Sequence, residues 1–204
     1  MLTSLFVPFL VTAILIELTP GPNMAWLALI SASKGKRAGF AAVSGIALGL
    51  GCLGAASAFG LAELSRRSPF TFELLRYAGV GYLFWLAWKA WDDDEGVSPE
   101  TARYSYPTAW FRQGLLLNIF NPKAAVFFVV VLPAYIKADE PVGAQTFVLS
   151  ATYVIVATTV HAALVLLAGQ AHNWIARGHR QRNIRRLFAV LLAAIAVWFL
   201  ASTA

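Results

Sequence analysis

The chain reads as long apolar stretches cut by short polar joints. Residues 1–16 and 18–33 carry no charge, with Glu17 alone between them. Residues 38–62, 141–176 and 187–204 form further uncharged runs of 25, 36 and 18 residues. A helix needs about 20 apolar residues to cross a bilayer core, at a rise of 1.5 Å each. The pattern predicts six such spans, near 5–31, 39–62, 70–91, 111–136, 143–170 and 186–203. Apolar residues cover every face of these helices rather than one stripe, so their surroundings are lipid or one another. Strands of a membrane barrel would alternate polar and apolar positions, and these runs do not.

Composition narrows the class further. Of the 204 residues, 59% are hydrophobic and 13% charged, whereas soluble domains carry roughly 25% charged residues. The apolar content excludes disorder, and a chain this short has too little interior to hide it in water. The expected fold is an all-α membrane protein of one domain, residues 1–204. It divides into a repeat of about 1–91, a loop near 92–110 and a second repeat of about 111–204. The first apolar run lacks a basic flank and is too long for a cleaved signal, so it is expected to be retained. A lone Cys52 leaves no internal disulfide and no thiolate cluster. The three His and Cys52 share no metal-ligand spacing, so neither metal nor cofactor is expected.

The net charge of +6 gains meaning from its placement. Connections 1–2, 3–4 and 5–6 carry eleven basic residues: Lys34, Lys36, Arg37, Lys89, Arg103, Arg112, Arg177, Arg180, Arg182, Arg185 and Arg186. The other side carries three, Arg66, Arg67 and Lys137. Basic loops stay in the cytoplasm, which predicts both termini outside. Trp88, Trp91, Trp110 and Trp174 fall at the inner boundary, as an interfacial belt would. The run from Arg177 to Arg186 reads as a loop drawn to anionic lipid headgroups. Nucleic-acid binding would need a folded basic surface, and none accompanies it. Asp92–Glu95 reads as a solvated acidic loop, with a cation-collecting vestibule as the alternative.

Two spans contain residues that a continuous helix rejects. Span 1 holds Glu17-Leu-Thr19-Pro20-Gly21-Pro22-Asn23, and span 4 holds Asn118-Ile-Phe-Asn121-Pro122-Lys123-Ala124. Proline has no amide hydrogen, so Pro20, Pro22 and Pro122 would leave the carbonyls of Ile16, Leu18 and Asn118 unpaired. Residues before proline also avoid helical dihedrals, and Gly21 adds freedom. Both helices must therefore break. Pro22 and Pro122 stand 100 positions apart, within two halves of three spans each. An odd number of spans per half inverts the second half, giving two inverted three-helix repeats with helices 1 and 4 broken at proline. Broken backbone at membrane depth survives only where protein or a water-filled cavity covers it. Free amides near Asn23 and Lys123 would attract a carboxylate, and free carbonyls an ammonium group. A site of both polarities suits a zwitterion. The bland alternative is a pair of structural proline kinks.

Glu17 and Lys123 lie inside their spans, where a charge facing lipid costs at least about 2.5–3.5 kcal/mol. They are expected to face inward and to pair with each other or with substrate. Glu17 is either a proton carrier or half of a structural ion pair. His161, in mid-span 5, is either a buried neutral side chain bonded to a neighbour or a proton relay. Span 2 repeats small residues, Ala41, Gly45 and Gly49, beside a second stripe of Ala47, Gly51 and Ala55. Such stripes let helices approach closely, within the monomer or in a homo-oligomer.

Four segments together resemble the lysine exporter (LysE/RhtB-type) translocator family over essentially the whole chain. They are Thr19-Pro-Gly-Pro-Asn23, the glycine ladder of span 2, Gly81-Tyr-Leu-Phe-Trp-Leu-Ala-Trp-Lys89, and Gly114-x-x-x-Asn118-x-x-Asn-Pro-Lys-Ala124. The resemblance implies an inner-membrane exporter of an amino acid or close derivative, driven by the proton gradient and surrounded by lipid. It places Pro20, Gly21, Pro22, Asn23, Asn118, Asn121, Pro122 and Lys123 around the transport pathway, with Thr19 beside them. Glu17 and His161 depart from the family pattern, so proton coupling at those two residues rests on the physical reading alone. A small-ion exporter on the same scaffold is the alternative. An intramembrane enzyme would need a catalytic constellation at helical spacing, and none appears.

Overall fold

The computed structural model describes residues 3–59, 107–137 and 139–170. It also describes helical residues 77, 80–85, 87, 88, 91, 183, 186, 187, 189–191, 193, 194, 196, 197 and 201. The acidic loop 92–95, most of the basic run 177–186, Trp174, His172 and His179 lie outside these residues. So does much of the charge count behind the predicted orientation.

Every regular element among the described residues is helical. Helix α1 is Thr3–Leu18, α2 is Pro22–Lys34 and α3 is Lys36–Ala58. Helix α4 is Pro107–Ile119 and α5 is Pro122–Val126; a π-helical turn, Phe127–Val131, and a 3-10 turn, Leu132–Tyr135, follow directly. Helix α6 is Val142–Gln170. Helices α3 and α6 are each long and apolar enough to cross a membrane. The segments Leu5–Leu18 with Pro22–Lys34, and Pro107–Ile119 with Lys123–Tyr135, qualify as bent pairs, with bends of 55° and 51°. These correspond to predicted spans 2, 5, 1 and 4. Within predicted spans 3 and 6, the described residues at 77–91 and 186–201 are helical too.

One boundary differs from expectation for a clear reason. The connection between spans 1 and 2 is the single residue Gly35, which ends α2 and begins α3 at φ 88°. Only glycine takes that left-handed conformation without strain. Lys36 and Arg37 therefore form the first turn of α3 rather than a loop.

Helix α3 is the central post, packed most extensively on α4 and next on α6. Its glycines explain the close fit. A Cβ on Gly45 would strike the backbone carbonyl of Phe111, and one on Gly114 would strike the carbonyl of Ala42. Gly49 lies against Asn118, and Gly54 against Ser150. The first small-residue stripe thus serves packing inside the monomer, while Gly51 faces open space.

Polarity is arranged inside out. Val7, Val11, Leu15, Leu48, Val130, Phe147, Ile155 and Leu167 are exposed. Glu17, Asn23, Asn118, Asn121, Gln145, Thr146, Ser150 and His161 are buried. Apolar exteriors suit lipid, and in that setting packing and internal hydrogen bonds order the helices. The core between the polar groups is filled by Phe9, Leu27, Ile46, Leu50, Leu117, Phe127 and Leu149.

Candidate functional site: two helix breaks and a buried carboxylate

Both breaks sit where proline removes an amide, and each restores its backbone bonds differently. At the first, Thr19 N–H bonds back to the carbonyls of Leu15 and Ile16. Gly21 then runs extended at φ −154° and opens α2 with no side-chain cap. Any residue adopts that backbone, and the glycine leaves room for a neighbouring side chain. The Lys123 stem passes 3.3 Å from where a Gly21 Cβ would stand. At the second break, the carbonyl of Asn118, expected to be free, accepts the Asn121 N–H at 3.0 Å. The expected free amide of Lys123 is likewise taken, by Asn121 Oδ1 at 3.0 Å, which caps α5. The breaks are therefore not equivalent: only the first begins a helix uncapped.

The two breaks meet. Asn23 Nδ2 donates to Asn118 Oδ1 at 2.9 Å, both side chains being buried. Asn23 Oδ1 and Asn118 Nδ2 have no partner among the described residues. Lys123 Nζ donates to the carbonyl of Thr19 at 2.8 Å and approaches that of Glu17 at 3.5 Å. Cations are favoured at such helix C-termini. A polar cavity lies between the breaks, with room for about one water molecule. Glu17, Gly21, Asn23, Asn118, Asn121 and Lys123 line it, joined by Met24, Leu50, Ala124 and Tyr153.

The expected pairing of Glu17 with Lys123 does not occur. Lys123 contacts the main chain of Glu17, while the carboxylate turns toward α6. Glu17 Oε1 lies 2.8 Å from His161 Nε2, and Oε2 accepts from the Tyr153 hydroxyl at 2.9 Å. Glu17 is 4% exposed and His161 and Tyr153 are 1% exposed, so the trio is closed to solvent. The physical reason is reach: the bend carries Lys123 onto the end of α1, and α6 presents two polar side chains to the opposite side of Glu17. His161 Nδ1 has no partner among the described residues, and Nε2 meets the carboxylate at ion-pair distance without hydrogen-bond alignment. His161 thus stands on the carboxylate and does not border the cavity itself.

Other expected residues separate. Thr19 and Pro20 are exposed; Thr19 contributes only its carbonyl, its hydroxyl bonding Leu15 O at 3.0 Å. Pro22 is buried as the first residue of α2, and Pro122 begins α5. Tyr153 escaped the sequence reading. Its ring stacks on Phe127, the first residue of the π turn, at 3.5 Å and 12°, and meets Phe128 edge-on at 5.8 Å. A signal did exist: Thr146, Ser150, Tyr153, Ala157, His161 and Val165 form one buried stripe at spacings of three and four along an apolar helix. Polar residues gathered on one face of a membrane helix mark the face turned inward.

The family model for the LysE type translocator matches residues 14–203. The chain belongs to the LysE type translocator family. It is therefore a membrane transporter for small molecules and not an enzyme. It is 28% identical over 188 residues to the homoserine/homoserine lactone efflux protein of Salmonella typhimurium, covering 92% of this chain and 91% of that one. The protein of the same name from Salmonella typhi is also 28% identical, with the same coverage. An uncharacterized membrane protein of Vibrio cholerae is 28% identical over 181 residues, 88% of each chain. No solved structure matches the chain. The family match spans both breaks, the cavity and the Glu17–His161–Tyr153 trio.

Proposed function

We propose that this translocator exports an amino acid or a close derivative from the cytoplasm across the inner membrane, in exchange for protons. The observation that carries the reading is the meeting of two bent helices around a buried polar cavity, with a solvent-free carboxylate–imidazole contact beside it. The LysE membership and the efflux proteins among the relatives support the direction of transport. Homoserine and its lactone are accordingly the first compounds to test.

The mechanism follows from the chemistry of the residues present. Helix-terminal carbonyls and the Lys123 ammonium offer acceptors and a donor within one cavity, which matches a zwitterion. The cavity is too small for an amino acid as it stands, so the bends must part for substrate to enter. Glu17 and His161 take up a proton from outside and release it inside, and Tyr153 keeps the carboxylate oriented. A proton bound there changes the net charge of the trio, and with it the packing of α1 on α6. Similar bends 100 residues apart favour two inverted three-helix repeats rocking about the shared cavity, with both termini outside.

Everted vesicles containing the protein test the proposal. With an imposed proton gradient they should accumulate labelled homoserine or another small amino acid, and a protonophore should abolish the uptake. Gradient-driven uptake of no amino acid or derivative would reject the reading in favour of a small-ion exporter.

A further inference from the structure

Lys123 occupies an unusual seat. Its ammonium lies on the carbonyls of Thr19 and Glu17 at 2.8 and 3.5 Å. The Glu17 carboxylate is committed to His161 and Tyr153 instead. The seat is therefore made of neutral helix-terminal oxygens, and among the described residues the charge on Lys123 has no carboxylate at ion-pair distance. An α-amino acid carries the same ammonium group and, in addition, the carboxylate that Lys123 lacks. Lysine has a flexible stem and three rotatable donors, so its head group can leave one acceptor for another. Gly21 leaves the stem its path, since a Cβ there would press on Lys123 Cδ. Asn23 Oδ1 and Asn118 Nδ2, buried and unpartnered among the described residues on the same cavity, remain available for a polar substrate.

We propose that Lys123 is a tethered stand-in for the substrate's amino group. The entering α-amino acid seats its ammonium on the Thr19 and Glu17 carbonyls, displaces Lys123 Nζ, and receives Lys123 on its own carboxylate. The inference rests on the exporter reading and deepens it: it names the two groups the substrate presents and the residue that reads the carboxylate. Exchange of one ammonium for another keeps the carbonyls satisfied throughout, and the released lysine gains the stronger, charge-assisted partner. A compound with the ammonium but no carboxylate fills the seat and leaves Lys123 unanswered.

Homoserine and homoserine lactone differ in that respect, since closing the lactone removes the carboxylate. The test compares their gradient-driven uptake by vesicles of wild type, Lys123→Gln, Lys123→Met and Lys123→Arg. The assay runs at about pH 6, below the ordinary α-amino range, so that both compounds carry their ammonium. The Gln and Met variants should lose about tenfold or more in kcat/KM for homoserine, the scale of a lost charge-assisted bond. Their KM for the lactone should stay level or fall, because the seat is vacated. Lys123→Arg should retain the preference for homoserine. Lactone uptake by a neutral variant also reports that it is folded, and two neutral variants guard against the misfolding of one. An equal loss for both compounds in a variant whose thermal unfolding matches wild type overturns this inference alone, as does undiminished homoserine uptake. Wild-type vesicles that move neither compound, nor any amino acid, overturn the exporter reading itself.

Discussion

Tyr153→Phe removes one oxygen and leaves the ring. That oxygen lies 2.9 Å from Glu17 Oε2, while the ring keeps its stack on Phe127 at 3.5 Å. Volume and packing barely change, so the variant isolates one hydrogen bond. Tyr153 is 1% exposed and Glu17 4%, which keeps bulk water from replacing the lost donor. Hydrogen bonds to charged groups contribute about 1.5–3 kcal/mol, and a buried acceptor left without its partner costs a similar amount. For a chain of this length, each kcal/mol moves the unfolding midpoint by about 2–4 °C, so the variant should melt about 3–12 °C lower. The assay is thermal unfolding in detergent as a double-mutant cycle with Glu17→Gln. In the Glu17→Gln background the partner is neutral, and the same tyrosine substitution should cost only about 0.5–1.5 kcal/mol. The two substitutions should therefore couple by about 1 kcal/mol or more. Additivity within about 0.3–0.5 kcal/mol would refute the contact, and with it the placement of Tyr153 as the residue orienting Glu17.

Further outcomes test the packing, the coupling and the breaks. Gly45→Val drives a side chain into the backbone of α4 and should destabilise by more than the about 1–3 kcal/mol typical of core overpacking, whereas Gly51→Val meets open space and should melt like wild type. Equal melting of the two would remove the α3–α4 backbone contact. Glu17→Gln should abolish gradient-driven uptake while substrate binding, followed by a ligand-induced rise in melting temperature, persists; full proton-driven flux would exclude Glu17 from coupling. Pro22→Ala and Pro122→Ala should each lower uptake with normal amounts of protein in the membrane, and normal flux in both would show that the breaks do not matter to transport.

Much of this molecule is written in local chemistry. Runs of uncharged residues specify helices for lipid, because a backbone in hydrocarbon must satisfy its own polar groups. The span containing Val142–Gln170 was legible almost to the residue for that reason. The two breaks were legible as well, since a missing amide in proline disrupts a helix whatever surrounds it. The proximity of Asn23, Asn118 and Lys123 could be anticipated from the matched offset of the prolines.

Tertiary structure decided the partners. Local sequence suggested that Glu17 and Lys123, the charges nearest the breaks, would pair with each other or with substrate; the fold gives them different partners, the carboxylate meeting His161 and Tyr153 and the ammonium meeting main-chain carbonyls. Which side chain meets the carboxylate depends on the rotation of α6 about its axis, and packing across several helices sets that rotation. Gly39 against Val165 and Gly54 against Ser150 help to fix it. Those contacts join residues more than ninety positions apart, so no window along the chain contains them. Capping of the second break by Asn121 is local, yet its consequence is not: it leaves α2 as the helix that begins at a break without a side-chain cap, while the carbonyls of Glu17 and Thr19 at the first break are met by Lys123 from the second. Hydrophobicity and proline act on the chain as it lies, whereas hydrogen bonds are assigned only after helices have docked, and the docking is settled by shape.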